Sequence, residues 1–329
     1  LPYEEISDKT DDHRAKRITA YLNMLKVLSE RRFEEMKESA AENLGALNEL
    51  SGMLHPGHGL HKELNKLSSA TSNQTRTRAI LDENLSMGSI DVNIMTKVDR
   101  TNSRNGEKLP LEYNDAHAAL RGFAESDLES SMILSAGINP HLYSYMQEFE
   151  DFYPDAAGYI RKKIVLKVSD YKSALIQGKF LAKKGIWVSE YRIESGLNCG
   201  GHAFATDGLL MGPILAEFRD KRQVLLQSTY EVLVSALKSN NRVIPDNPLS
   251  LKVTAQGGVG TAKEHQFLLD HYQLDSIGWG TPFLLVPEAT TVDEATLDQL
   301  IEAKEEDLYL SDISPLGIPF NSLRGNTKD

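Results

Sequence analysis

Residues 195–208 read SGLNCGGHAFATDG, which places His202 directly behind Gly200 and Gly201, with Cys199, the chain's one cysteine, three positions before the histidine. An imidazole gives or takes a proton near neutral pH without a large shift in its pKa, so His202 is the candidate catalytic acid–base. Gly200 and Gly201 carry no Cβ and let the backbone approach a ligand closely. A thiol at Cys199 needs an activating environment to act as a nucleophile, and the Gly-Ser-x-Cys-x-Thr setting of nucleophilic cysteine loops is absent, so Cys199 reads as a small core residue. Two more glycine-rich stretches lie later, QGGVGTA at 256–262 and GWGTPF at 278–283. Backbone N–H groups at Gly257, Gly258, Val259 and Gly260, and again at Gly280 and Thr281, can reach phosphate oxygens, and Thr261 can cap a following helix. Taken singly, each stretch is also an ordinary tight turn. The run HPGHGLH spaces His55, His58 and His61 three apart, but Pro56, Gly57 and Gly59 prevent a regular helix from holding the rings on one face. No metal site is expected there.

These residues have to be positioned by regular elements, and the hydrophobic periodicity predicts which. From Ile18 to Leu50 apolar residues recur every three or four positions, the pattern of one amphipathic helix or of two nearly in line. Breakers in SGMLHPGHGLHKEL end it, and the polar SSATSNQTRTR reads as loop. The texture then changes to short β-rich runs at 89–99, 130–140, 161–169, 186–195 and 249–258, with another at DSIGWGTPFLL. Between them DYKSALIQGKFLAKKG, QVLLQSTYEVLVSALKSNNR and TAKEHQFLLDHYQL have helical period. EAKEED at 302–307 reads as a solvated helix face. Trp187 and Trp279 fit either a core or a cofactor edge.

Alternating strands and helices with short joints predict parallel pairing by crossovers, hence an α/β fold. An open dinucleotide-binding sheet should carry its glycine turn after the first strand, and nothing near the N-terminus fits. Glycine loops after two late strands are where a closed (β/α)8 barrel keeps its phosphate site. The expectation is therefore a TIM-type barrel over residues 89–320, incomplete or rebuilt in its N-terminal part. A helical extension and loop at 1–88 precede it, and a tail at 321–329 follows.

The run SGLNCGGH, followed by TAQGGVGTAKEHQFLLDHYQLDSIGWGTPFLLVPEA, resembles the nitronate monooxygenase and enoyl-acyl-carrier-protein reductase group of FMN-dependent barrels. It is also similar to the enoyl reductase component of polyunsaturated fatty acid synthases, with its Ser-Gly-Gly-His motif. The resemblance covers about residues 160–300 and extends back to Asn93 in DVNIM. It implies FMN as cofactor, with Gly257, Gly258, Val259, Gly260, Gly280 and Thr281 at the phosphate and Asn93, Gly200 and Gly201 near the flavin. His202 would face the substrate side of the ring. NAD(P)H is a candidate electron donor, and a nitronate-like or acyl/enoyl compound the substrate. Two positions and one segment depart from the pattern: Asn198 replaces the group's glutamate, Phe204 replaces a glycine, and the Ala-Pro-Met strand is absent from residues 1–88.

Composition narrows the partners. The 329 residues are 40% hydrophobic and carry a formal charge of −11, enough apolar mass for a sizeable core and the wrong sign for a phosphate-backbone footprint. Nucleic acid is therefore not an expected partner. A single cysteine leaves no intrachain disulfide and fits a reducing compartment. No apolar run is long enough to span a bilayer, and a cytoplasmic location is expected. Two readings stand: a flavin oxidoreductase acting on a small or acyl substrate, as a homo-oligomer or with a partner chain, and a non-catalytic or partner-dependent barrel subunit.

Overall fold

The computed structural model describes residues 5–54, 59–68, 74–96, 99–134, 137–194, 211–257, 259, 261–279, 292–311 and 320–325. The chain divides into two compact units, one of residues 1–92 and 101–130, the other of 93–100 and 131–329. Ten α-helices are present among the described residues, and none is long and apolar enough to cross a membrane.

The first unit is helical, as its periodicity predicts, with a different division. Helix α1 (His13–Glu42) ends at Asn43, whose extended backbone stops it and whose side chain accepts from the N–H groups of Gly45 (2.7 Å) and Ala46 (3.2 Å) to start α2 (Leu44–Met53). Helices α3 (Gly59–Ser68) and α4 (Gln74–Asn84) follow. The expected loop SSATSNQTRTR is therefore half helical. Thr77 and Leu81 of α4 are both fully buried, and Arg78 reaches Asp82 one turn on at 2.9 Å, so packing overrides the polar composition. Ala40, Leu47, Leu50, Leu60, Leu64, Leu67 and Leu81 form one apolar cluster. The apolar stripe of α1 packs within its own unit, against α2, α4 and α5 (Asp115–Ala124), with Leu22 and Ala40 buried, Tyr21 exposed and most of the rest half-buried. Gly122 permits the crossing of α1 and α5, since a Cβ there would lie 2.7 Å from the Ala15 carbonyl.

The second unit is built on a six-stranded sheet of order β1-β4-β5-β6-β7-β8, comprising Val92–Ile94, Ser131–Leu134, Lys163–Val168, Val188–Glu194, Lys252–Gln256 and Ser276–Gly278. Between them in sequence lie the two-residue strands β2 (Ser103–Arg104) and β3 (Glu107–Lys108), a small hairpin of the first unit. Every neighbouring pair from β4 to β8 is parallel. The order runs monotonically and contains no reversal, so no topological switch point of the doubly wound kind occurs among these strands. The fold class is α/β with a central parallel sheet. The crossovers use α6 (Pro140–Tyr145), α7 (Tyr171–Ala182), α8 (Met211–Ser239) and α9 (Ala262–Tyr272). Asp170 caps α7 by accepting from the Ser173 N–H at 2.7 Å.

β1 covers only Val92–Ile94 of the run at 89–99, and beyond it Thr96 donates its hydroxyl to the Gly137 carbonyl at 3.2 Å. The stretch EAKEED is not a helix face beyond its first residue: α10 (Glu294–Glu302) ends there, and a short 3-10 turn at 305–307 leads into β9 (Leu308–Ser311). β9 pairs with β10 (Phe320–Leu323), so a strand runs into the stretch expected to be tail.

Register gives the two faces of the main sheet opposite characters. Met132, Leu134, Ile164, Leu166, Val168, Tyr191, Ile193, Val253, Ala255 and Ile277 share one face and are all buried. Helix α7 packs there, and Gly178 makes room for the Tyr191 ring. A bulge between Ile164 and Val165 sets Glu190 opposite Val165, so Lys167, Glu190, Arg192, Glu194, Thr254 and Gln256 occupy the other face. Parallel sheets are ordinarily apolar on both faces. This one is not.

Candidate functional site at the carboxyl edge of the sheet

Ligands of parallel α/β folds sit beyond the carboxyl ends of the strands. At that edge β7 finishes on Gln256, and Gly257 takes φ +89°, a conformation only glycine adopts freely. The Gly257 N–H donates to the Gly278 carbonyl at the end of β8 (3.2 Å), which ties the two glycine loops to each other. That N–H is accordingly engaged within the protein. Val259 is buried, at 7% exposure, and anchors the loop.

Helix α9 begins at Thr261 with a capping box: Thr261 Oγ1 accepts from the Glu264 N–H at 3.3 Å, and the Thr261 N–H donates back to Glu264 Oε2 at 3.0 Å. Of the four N–H groups that every helix start leaves without an intrahelical partner, those of Ala262 and Lys263 are the two outside this box. Trp279 Nε1 donates to His265 Nδ1 of α9 at 2.9 Å. Trp279 is half-buried. Trp187 is core, 3% exposed, with Nε1 donating to the Ser250 carbonyl at 2.9 Å.

Gly200, Gly201, His202 and Cys199, as well as Gly258, Gly260, Gly280 and Thr281, lie outside the described residues. Asn93 is exposed on β1. The neighbouring ends of β1 and β4 are closed by their own polar groups: Asn139 Nδ2 donates to the Thr96 carbonyl at 3.2 Å and Tyr143 Oη to the Gly137 carbonyl at 3.2 Å. His61 uses both ring nitrogens locally, Nδ1 against the Ser51 carbonyl at 2.8 Å and Nε2 against Asn65 Nδ2 at 2.9 Å; His55 and His58 lie outside the described residues.

Sequence reasoning missed a group that the register assembles. Lys167 near the end of β5 and Glu194 at the end of β6 form an ion pair (Nζ to Oε2, 3.4 Å), with side chains 18% and 3% exposed. Level with Lys167 in the register, Arg192 Nε donates to Glu190 Oε1 at 2.8 Å, and Thr254 Oγ1 donates to the same oxygen at 2.6 Å. The alternation in VSEYRIE, polar at 190, 192 and 194 within a buried parallel strand, is the signal that could have found it.

No protein-family profile matches the sequence, and neither does any curated protein. Among solved structures, the chain is similar to the enoyl reductase domain of MlnA from the macrolactin biosynthesis cluster of Bacillus amyloliquefaciens, at 13% identity and a TM-score of 0.43, over 63% of this chain and 47% of that one. The chain thus spans about half the length of that protein.

Proposed function

We propose that the chain is a flavin-dependent oxidoreductase of barrel type, acting on a nitronate-like or acyl/enoyl substrate, with FMN held by its phosphate at the loops after β7 and β8. One observation carries the reading: the Gly257 N–H to Gly278 carbonyl bond gathers both glycine loops and the start of α9 at one edge of the sheet. The residues present fit a phosphate there. Ala262 and Lys263 offer N–H donors at a helix start whose dipole favours an anion, and the N–H groups of Gly258, Gly260, Gly280 and Thr281 belong to the same two loops. With its own N–H engaged, Gly257 supplies the turn and not a donor.

Bound FMN would supply the redox chemistry, with NAD(P)H as its reductant in an enoyl reduction. The protein's part is position and protons. His202, which follows β6 in sequence, is assigned the proton at the substrate carbon next to the carbonyl or nitro group, within the usual range of general acid–base catalysis. The barrel reading has support in the monotonic strand order and in the polar face opposite the one on which α7 packs, which would line an interior.

The test is a visible absorption spectrum of the purified chain, as isolated and after incubation with FMN, together with Gly258→Asp. Flavin bands that persist through gel filtration in the parent and vanish in a folded Gly258→Asp variant are the expected result, because the new carboxylate brings negative charge to the phosphate loop. A folded parent that stays colourless after reconstitution overturns the reading and favours a partner-dependent subunit.

A further inference from the structure

The charged face of the sheet costs stability and has to be explained. Moving a Lys–Glu or Arg–Glu pair out of water carries a desolvation penalty that its attraction often fails to offset, and apolar residues of similar volume commonly do as well or better. The same sheet fills its opposite face with ten buried apolar side chains. Departures from such a rule gather at functional sites. Two features single out Lys167 within the charged face. It is one residue from the carboxyl end of its strand, and Arg192, its register neighbour on β6, is already committed to Glu190, which also accepts from Thr254. Among the described residues its one ion-pair partner is Glu194 at 3.4 Å, beyond the usual charge-assisted distance of roughly 2.7–2.9 Å, so an ammonium with three donors retains capacity toward the edge.

We propose that Lys167, anchored by the buried Glu194, is the oxyanion-binding residue of this edge, taking the conjugated oxygen of a substrate that carries negative charge there or develops it: a nitronate oxygen or the enolate oxygen of an acyl thioester. A fixed cation in a partly desolvated site favours the charged form of such a ligand over its neutral form. The proposal takes its choice of ligand from the oxidoreductase reading, but the binding it asserts needs no flavin.

The experiment uses the full chain and two probes. One is the nitronate anion of nitroethane, followed by calorimetric titration. The other is an acetoacetyl pantetheine thioester, whose enolate absorbs in the near ultraviolet while its keto form does not. Binding of either probe, weakened about tenfold or more in Lys167→Met and restored by Lys167→Arg, is the expected result. For the thioester, the bound enolate fraction should fall in Lys167→Met, a change that a purely structural lysine would not produce. Because Lys167→Met leaves Glu194 without its cation, Lys167→Met/Glu194→Gln removes both charges and serves as the folded control, with the same loss of binding. Dependence on Lys167 for only one probe identifies which source of the oxyanion the site reads. Probe binding that is unchanged in the folded double variant overturns the proposal, as does the absence of binding of both probes to the parent. Flavin retention is scored separately, so a chain that holds FMN but ignores Lys167, and one that needs Lys167 but holds no FMN, are told apart.

Discussion

Gly178 and Tyr191 form a contact whose energetics can be worked out from the coordinates. Gly178 lies inside α7, and a Cβ built on it would stand 1.9 Å from Tyr191 Oη, 3.1 Å from Cζ and 3.2 Å from Thr229 Cγ2. The tyrosine is 1% exposed, its hydroxyl has no hydrogen-bond partner among the described residues, and burial pushes that hydroxyl well above the ordinary tyrosine range. On an open helix Gly178→Ala would stabilise by about 1 kcal/mol through helix propensity. Here a ring held between α7 and α8 cannot retreat, and overpacking costs about 1–3 kcal/mol or more, so the clash outweighs the propensity and a net loss of about 2 kcal/mol is expected. Tyr191→Phe acts in the opposite direction. It deletes a buried, unpartnered hydroxyl whose desolvation costs about 1–3 kcal/mol, and should leave stability unchanged or raised. In the double variant the 1.9 Å contact no longer exists and only the tight approach to Cζ remains, so most of the loss is recovered, with a coupling of about 2 kcal/mol. Urea unfolding followed by the fluorescence of Trp187, which packs edge-on against Tyr230 of α8, reports on this unit. Effects additive within about 0.5 kcal/mol, or a Gly178→Ala variant more stable than the parent, would refute the reasoning.

Two further outcomes follow from the same physical rules. His202→Ala should retain fold and flavin but lose about two to four powers of ten in turnover, while Cys199→Ser changes little; steady-state rates with a nitronate and an enoyl thioester check this, and an inactive Cys199→Ser reverses the assignment. In the first unit, hydrogen bonds from Arg78 and Lys37 hold the Asp82 carboxyl down to about 2 from its ordinary 3.8. A depressed carboxylate contributes stability above its unfolded pKa and loses it as pH falls through the folded one, so the first unit should hold its melting temperature down to about pH 4 and weaken from there toward pH 2. Asp82→Asn should flatten that decline in circular dichroism melts, and an unchanged slope would count against the Arg78–Asp82–Lys37 contacts as its cause.

Much of the second unit was legible in the chain. Runs such as KIVLKV and KVTAQ, bounded by polar or glycine residues and separated by helical periods, are local signals, and β5, α7, β6, β7 and α9 fall where those signals lie. Gly257 is equally local: a residue at φ +89° at a strand end needs glycine whatever surrounds it. The helical segment at 74–78 was hidden, because polar side chains such as Thr77 become helical here only through burial against other helices. The stop at Asn43 was hidden too, since an amphipathic stripe continues unbroken through it and only the side-chain cap reveals the break. The clearest division concerns the two loops and the charged face. Composition alone puts glycines after two strands, whereas the hydrogen bond from Gly257 to Gly278 depends on β7 and β8 being neighbours. Likewise the sequence contains Lys167 and Glu194 as two charges 27 positions apart, and the alternation in VSEYRIE marks Glu194 without naming its partner. Their pairing depends on strand register, and the bulge at Ile164/Val165 shifts that register by one residue and so decides which side chains of β6 share a face with Lys167. Periodicity along the chain determines which residues form elements; long-range pairing between strands decides which of their side chains meet.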